Sequence, residues 1–354
     1  MNAPLRTLVV PNRASDCRER APRIFYGASE LAALAGWIPE TRIQSSEIEA
    51  QLSGVDAAKG LDIAARTGVF ERRTAGKTHN VIDMSLLACG RAFEAAQGIG
   101  PADIDLIVYC GISRFYVEPA TASVLHAHLK LERAAAFDIS DACLGFIDGW
   151  FVADAMIAAG RANTALIVAA ETLSRFSDLS VTAVKEGAGL AQHLASLTLG
   201  DGAAAAIITR RTQAGRGLHV GLRETHSEHH HLCIIRDDRQ PMLSQSNRLL
   251  GAGLGHFSSA ADAVLQATGW QSADLDLAVP HQASAATIES GRRRLGLPAD
   301  RVASTLERFG NMASVAVPFA LADAIEQGRV GSGSRVLLAG FGSGLGIGMM
   351  SLTL

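Results

Sequence analysis

Two kinds of segment alternate along most of the chain. Short uninterrupted apolar runs, such as "LIVYC" (106–110), end in turn residues and are followed by longer, Ala-rich stretches that read as helices. Continuous apolar strands are typical of sheets that are covered by helices on both faces. The pattern therefore predicts an α/β protein with a large buried core.

This pattern occurs twice. The segment "PADIDLIVYCGIS" (101–113) matches "SADLDLAVPHQAS" (272–284) position by position, at an offset of 171 (272 − 101). Residues 153–170 likewise resemble residues 322–340, at an offset near 170. Such internal similarity indicates two copies of one α/β unit, packed about a pseudo-twofold axis.

The repeat sets the expected domain organisation. We predict an N-terminal arm over residues 1–29, a first half over 30–210 and a second half over 215–354. Residues 336–354 carry no charge and are nearly long enough to span a bilayer. Their centre, "GFGSGLGIG", has a turn-forming composition that would expose backbone groups to lipid. Two buried strands around a glycine loop, and no membrane span, are therefore expected.

Composition and charge narrow the class of protein. The 354 residues are 48% apolar and 19% charged, which indicates a globular protein, and the net charge of −3 argues against nucleic acid as the main partner. Five cysteines, an odd number in a long chain, suit free thiols in a reducing cytosol. We therefore expect a cytoplasmic protein.

The repeat also brings candidate chemistry together. Cys143 follows the β-type run 137–139, where a predicted helix begins, and Asn311 lies at almost the same place in the second copy (311 − 143 = 168). His281 ends the strand whose first-copy counterpart ends at Cys110. Because a pseudo-twofold axis places matched element ends around one centre, we expect this cysteine, histidine and asparagine to converge.

These three side chains suit acyl chemistry. A helix N-terminus favours a thiolate, so Cys143 is expected to have a lowered pKa and to accept an acyl group, whose oxygen would contact backbone N–H groups. His281 and Asn311 can both donate hydrogen bonds to an enolate oxygen. Peptide hydrolysis fits less well, because it needs the histidine as a base beside the thiol. Taken singly, a buried cysteine is usually a small apolar residue.

Several motifs together resemble the thiolase superfamily, and within it the β-ketoacyl synthase III branch. They are "RTGVFERR" (66–73), "DACLGF" (141–146), "LGDGAAAA" (199–206), "VPHQAS" (279–284), "FGNMASVAVP" (309–318) and "GFGSGLGIG" (340–348). The similarity runs over nearly all of residues 30–354.

The resemblance implies a five-layered αβαβα thiolase fold and an acyltransferase without a cofactor. It implies an acyl-enzyme on Cys143, with His281 and Asn311 stabilising the enolate, and acyl-CoA or acyl-carrier-protein thioesters as substrates. The backbone N–H groups of Cys143 and Ser343 would form the oxyanion hole.

The sequence departs from the carrier-protein-dependent synthases at two positions. Where those enzymes stack a tryptophan on the CoA adenine this chain has Asp62, and where they carry an arginine after the catalytic histidine it has Ala286. Arg66, Arg72 and Arg73 remain candidates for binding CoA phosphates, with a solvated basic face as the alternative.

A second resemblance is to enzymes that join two fatty acyl-CoAs head to head in olefin and β-lactone pathways. It rests on "GISRFYVEPATAS" (111–123), "DACLGFIDG" (141–149) and the inserted segment 183–205. In that group a glutamate of the partner subunit in a homodimer removes the α-proton, and the matching residue is Glu118; a solvated loop glutamate is the alternative. The expected reaction is therefore a non-decarboxylative Claisen condensation to a β-keto acyl product.

Other functions stay open. Decarboxylative extension with malonyl-carrier protein is one alternative, and acyl transfer from Cys143 to an alcohol or amine is another, although the retained Asn311 argues against it. The segment "THSEHHHLC" (225–233) lacks metal-ligand spacing, so no metal is expected there. A structural dimer without activity would leave the thiol inert.

Overall fold

The structure is a computed structural model that describes residues 24–354. Of the arm predicted over residues 1–29, residues 1–23 lie outside the described part. Residues 24–26 form the first strand, which pairs with the second sheet described below.

Fourteen strands occur among the described residues. They are β1 (Ile24–Tyr26), β2 (Ser29–Trp37), β3 (Arg42–Gln44), β4 (Glu71–Arg73), β5 (Leu106–Tyr109), β6 (Ala135–Asp138), β7 (Thr164–Thr172), β8 (Asp201–Arg210), β9 (Gly217–Thr225), β10 (Cys233–Ile234), β11 (Leu243–Ser244), β12 (Leu277–Pro280), β13 (Arg335–Gly342) and β14 (Gly346–Thr353).

Eleven α-helices occur in the same range, joined by short 3₁₀ turns. They are α1 (Ser45–Gln51), α2 (Ile63–Thr67), α3 (Val81–Ala95), α4 (Thr121–Leu129), α5 (Gly145–Ala158), α6 (Ser174–Lys185), α7 (Leu190–His193), α8 (Ser246–Thr268), α9 (Ala285–Leu295), α10 (Leu306–Phe309) and α11 (Ala316–Glu326).

Two five-stranded mixed sheets organise the molecule. The first has the order β2-β8-β7-β5-β6 and the second the order β1-β9-β14-β13-β12. In the first sheet β5 pairs in parallel with β7, and in the second sheet β12 pairs in parallel with β13. β8 and β14 pair antiparallel with those same strands. The consecutive strands β8, β7 and β5 of the first sheet thus have counterparts in β14, β13 and β12 of the second.

Helices cover both faces of each sheet. α5 and α11 contact both sheets and form the central layer, while α3 and α4 pack on the outer face of the first sheet and α8 and α9 on that of the second. The central layer holds the largest apolar cluster. This is the five-layered αβαβα arrangement expected for a thiolase fold, which is confirmed.

Several elements around the cavity correspond between the two halves at an offset of 171. β5 corresponds to β12, and the 3₁₀ turn Ala142–Leu144 before α5 corresponds to Ala313–Val315 before α11. Ala142 and Ala313 both have positive φ, at 46° and 45°. The two halves therefore enter their central helices through the same unusual backbone conformation.

This offset corrects one expected equivalence. The counterpart of Cys143 is Ser314 (314 − 143 = 171), and Asn311 lies three residues before it. Asn311 still belongs to the same approach to the central helix, because it immediately precedes the 3₁₀ turn that begins at Ala313.

The uncharged residues 336–354 form the paired strands β13 and β14, which are buried throughout apart from Arg335 at the start of β13. The prediction of two buried strands around a glycine loop is confirmed. Among the described residues, no helix is both long and apolar enough to cross a bilayer.

Candidate active site

One cavity of about 610 Å³ lies between the two halves of the molecule. Cys143, His281, Asn311 and Ser343 all line it, so the structure brings together the four residues that the repeat and the motifs singled out. Most of the remaining wall is apolar, with Ile112, Leu173, Leu194, Leu199, Ile234, Ile235, Met242, Leu249, Leu250 and Phe341. The Cys143 thiol thus faces a space suited to an apolar chain.

Cys143 lies in the tight turn between β6 and α5. Arg223 of β9 holds this turn from the opposite sheet: its guanidinium contacts Asp141 through Nη2 and Asp148 through Nε, the latter at 3.0 Å. All three side chains are only partly exposed, which strengthens their attraction relative to a surface pair. The turn that carries the thiol is therefore tied to the second half of the molecule.

The expected lowering of the Cys143 pKa is not found. Burial raises the pKa of the thiol well above its usual range, and Cys233, Glu171 and Asp141 raise it further. The cost of removing a thiolate from water thus exceeds any gain from the start of the helix. A raised pKa favours the neutral form of the Cys143 thiol at neutral pH.

His281 follows β12 and is 3% exposed. Burial lowers its pKa to about 4, because the charged imidazolium is disfavoured in an apolar site. Its Nδ1 atom is buried and has no hydrogen-bond partner. A neutral ring with its proton on Nε2 would direct its single N–H at the cavity.

Two local contacts fix the orientation of Asn311. Its side-chain Oδ1 accepts a hydrogen bond of 2.9 Å from the N–H of Ala313, so the amide NH₂ is left to donate elsewhere. Its backbone N–H donates to the carbonyl of Thr198 at 2.9 Å. Gly310 before it has a φ of 66°, and a Cβ there would lie 2.3 Å from that same carbonyl oxygen. Only glycine permits this close approach.

The end of β13, just before the glycine loop, packs against the backbone of Cys143. A Cβ built on Gly342 would lie 3.3 Å from the backbone nitrogen of Cys143. The loop backbone and the Cys143 N–H are thus neighbours, and Ser343 follows on the cavity wall. An oxyanion hole needs two backbone N–H donors close together, and Cys143 and Ser343 are the pair expected to supply them here.

Glu118 does not line the cavity. It is exposed, within a segment that also exposes Phe115, Tyr116 and Val117, the last at 99%. A single chain therefore does not bring this carboxylate to the thiol.

The three candidate arginines differ in their exposure and in their position relative to the cavity. Arg66 is exposed and lines the cavity. Arg72, in contrast, is 1% exposed and donates to the carbonyl of Leu197 at 2.6 Å, so it is a structural residue that offers no surface to a phosphate. Arg73 donates to the carbonyl of Pro39 at 3.1 Å, away from the cavity. Arg66 alone keeps the position expected for a CoA contact.

The two positions that depart from the synthase pattern have visible local roles. Asp62 caps α2, since its Oδ1 accepts from the N–H of Ala65 at 2.8 Å. Ala286 lies on the cavity wall at the start of α9. The inserted segment 183–205 also contributes to this wall, through residues that include Leu194 and Leu199.

Sequence reasoning missed the buried carboxylate of Glu171. It accepts hydrogen bonds from the N–H groups of Ile112 and Ser113 at 3.0 Å, from the Ser113 hydroxyl at 2.7 Å and from the Ser314 hydroxyl at 2.5 Å. Strict use of the offset of 171 would have identified Ser314 as the counterpart of Cys143. It would not have identified Glu171 as the hydrogen-bond partner of Ser314. Glu171 thereby joins the loop that follows β5 to the turn that precedes α11.

The fold and this site define a condensing acyltransferase of the thiolase type. Family models for 3-oxoacyl-[acyl-carrier-protein] synthase III match residues 137–224, and models for its C-terminal part match residues 265–354. Curated relatives agree. The β-ketoacyl-[acyl-carrier-protein] synthase III of Methylococcus capsulatus is 30% identical over 90% of this chain and 97% of its own length. That of Xanthomonas oryzae pv. oryzae is 31% identical over 90% and 96%.

The chain therefore belongs to the β-ketoacyl-[acyl-carrier-protein] synthase III family. Among solved structures it is similar to OleA of Xanthomonas campestris. A crystal structure of that protein with bound cerulenin is 27% identical, with a TM-score of 0.86 over 93% of this chain and 98% of the other. A variant with bound lauric acid and lauroyl-CoA gives the same identity and TM-score over 93% and 100%.

Proposed function

We propose that the protein joins two acyl thioesters by a non-decarboxylative Claisen condensation and releases a β-keto acyl product. The observation that carries this proposal is the single cavity in which a thiol, two neutral hydrogen-bond donors and a glycine loop face an apolar chain-sized space. The similarity to OleA, one structure of which holds lauroyl-CoA, supports fatty acyl-CoA as the substrate class.

The first half-reaction acylates Cys143. Its sulfur attacks the thioester carbonyl of one acyl-CoA, a new C–S bond forms, the bond to CoA breaks, and the thiol proton leaves with the CoA sulfur. The N–H groups of Cys143 and Ser343 would stabilise the tetrahedral oxygen. Arg66, exposed at the cavity, is the residue we assign to the CoA phosphates.

The second half-reaction forms the carbon–carbon bond. A base removes an α-proton from the second acyl-CoA, while His281 and Asn311 donate hydrogen bonds to its enolate oxygen. The α-carbon then attacks the acyl carbonyl on Cys143, the C–S bond breaks, and the thiol regains a proton. With a pKa of about 4, His281 is neutral at pH 7 and suits the role of donor.

The base that we assign is Glu118 of a second copy of the chain. Two groups that both donate to the enolate oxygen cannot also take the proton, and Glu118 lies outside the cavity of its own chain. Its exposed apolar neighbours Phe115, Tyr116 and Val117 are suited to burial against another subunit. We therefore propose a homodimer in which each subunit completes the other's site.

Decarboxylative extension with malonyl thioester is the second candidate, favoured by the names of the curated relatives. That reaction generates the enolate by loss of CO₂ and needs no base. Acyl transfer to an alcohol or amine fits less well, because an amide donor such as Asn311 cannot deprotonate the acceptor.

One experiment distinguishes the two leading candidate reactions. Purified protein is incubated with lauroyl-CoA alone and, separately, with lauroyl-CoA plus malonyl-CoA or malonyl-carrier protein; free CoA, CO₂ and β-keto products are then measured. We expect a β-keto product from lauroyl-CoA alone and no dependence on malonyl thioester. Turnover only with malonyl thioester and equimolar CO₂ would replace the proposal with the second candidate, and Cys143→Ala serves as the inactive control.

A further inference from the structure

A half-buried cluster of ligand-type side chains lies outside the catalytic cavity. Glu224 is near the end of β9, His226 follows that strand, and His256 projects from the middle of α8. The sequence separates His256 from the other two by thirty residues or more, so only the fold brings the three together. None of them has a part in the proposed condensation.

The geometry of this cluster favours a shared ligand. One ligand atom of each residue lies within 4.8 Å of those of the other two. Nε2 of His226 is 3.4 Å from a carboxylate oxygen of Glu224, and the rings of His226 and His256 are stacked with centroids 3.6 Å apart. Ligands of a tetrahedral zinc ion at about 2.0–2.1 Å from the metal lie about 3.3 Å apart. The nitrogen lone pairs of two nearly parallel rings do not converge on one point, so binding a shared ion requires His226 and His256 to tilt out of their stack.

We propose that Glu224, His226 and His256 form a binding site for a divalent metal ion of the zinc class, with the fourth position open to water. Two imidazoles and one carboxylate from two different elements are a ligand set that zinc accepts. In the alternative arrangement no metal is bound, and the Glu224 carboxylate alone holds the stacked rings of His226 and His256. The experiment below separates the two arrangements.

A metal at this place would be coupled to the catalytic loop. His226 and Leu345 exchange both backbone hydrogen bonds, at 2.8 and 3.1 Å, and Leu345 lies two residues after Ser343. On the other side, the first turns of α8 contribute Asn247, Leu249 and Leu250 to the cavity wall. A bound ion would therefore tie the oxyanion loop to the helix that borders the acyl space.

The test uses the full chain after treatment with a chelator. Titration with Zn²⁺ alone, followed by calorimetry, should show one site per chain, and the metal should raise the melting temperature. His256→Gln should weaken binding at least tenfold. His231→Gln is the matched control, because His231 is exposed in the same segment and outside the cluster; it should bind as the wild type does.

Cobalt absorption separates this site from the cavity thiols. Co²⁺ bound at Glu224, His226 and His256 would show no thiolate charge-transfer band, whereas binding at Cys143 or Cys233 would. If His256→Gln fails to fold, Glu224→Gln takes its place. Circular dichroism of the variant without metal shows whether it is folded. A thiolate band, equal weakening by His231→Gln, or no saturable binding would overturn the proposal and leave a metal-free histidine stack.

Discussion

Burial acts in opposite directions on the pKa values of two cavity residues, Cys143 and His281. It raises the pKa of the Cys143 thiol and lowers that of the His281 imidazole to about 4, so both are neutral at neutral pH. A neutral histidine is a hydrogen-bond donor without charge, which suits an enolate. A neutral thiol is a poor nucleophile until it loses its proton.

The rate of Cys143 acylation should therefore rise with pH through at least pH 9, because the thiolate fraction grows over that range. Mass spectrometry of protein quenched at early times with acyl-CoA measures this rate. His281→Ala should show the same rise, since the histidine does not hold the thiol proton. A plateau above pH 6 in the wild type that disappears in His281→Ala would instead identify an activated thiol–histidine pair.

His281→Ala or Asn311→Ala should reduce condensation by about 10²–10³-fold, the range found when one oxyanion-type donor is removed. Acylation should be affected less, because both donors act on the second substrate. Single-turnover measurements of acylation and of β-keto product, made on the same preparation, separate the two steps. Equal losses in both steps would assign the residue to the thiol.

The depressed pKa of His281 also predicts how stability depends on pH. Above pH 6.5 the residue is neutral in both states. As the pH falls from 6.5 toward 4, the unfolded chain binds a proton that the folded chain does not, so stability is lost. The difference of about 2.5 pKa units corresponds to about 3 kcal/mol. Urea unfolding at pH 7.5 and 4.5 should show a smaller loss for His281→Gln than for the wild type.

At the scale of elements, the turn that carries Cys143 depends on an ion pair from the other half. Arg223→Gln would leave Asp141 and Asp148 partly buried without their cation, and we expect a loss of about 1–3 kcal/mol in the free energy of unfolding together with slower acylation. Arg308→Gln is the matched control. It breaks a 3.0 Å pair with Asp323 whose arginine is half exposed, and it should cost less than about 1 kcal/mol.

Elements and their order were predictable because they follow from local pattern and from the repeat. The offset of 171 locates β5 and β12, and with them His281, and the uncharged residues 336–354 were correctly predicted to be paired strands. Burial of single polar side chains was not predictable. Arg72 is enclosed by segments far away in sequence, including Leu197, so its motif alone suggested a surface role.

The same limit applies to the electrostatics of the site. A position at the start of a helix favours a thiolate, and that local rule led to the expected low pKa of Cys143. The opposite shift arises from desolvation and from Cys233 and Glu171, which only the tertiary fold brings near, with a smaller contribution from the adjacent Asp141. Likewise, no spacing in the chain pairs His226 with His256.

At the scale of the whole molecule, the proposed mechanism needs a residue that one chain does not place in its own cavity. The cavity holds Cys143, His281 and Asn311, whereas Glu118, the residue we assign as base, lies on an exposed apolar segment outside it. A symmetric dimer would place the same segment of each subunit against the other. Glu118→Gln should then leave acylation of Cys143 nearly unchanged and strongly suppress the joining of two lauroyl-CoA molecules.

Mixing two inactive variants tests whether this glutamate acts across the interface. A dimer of one Cys143→Ala subunit and one Glu118→Gln subunit has one complete site, because the intact cysteine of the second receives the intact glutamate of the first. Random reassortment makes half of the dimers mixed, each with one of two sites active, so roughly a quarter of wild-type condensation should return. Light scattering checks that each variant is dimeric. One contrary result is that each variant is inactive alone and the dimers reassort, yet no activity returns; Glu118 would then serve its own subunit. Another is that Glu118→Gln is fully active alone, in which case Glu118 is not the base.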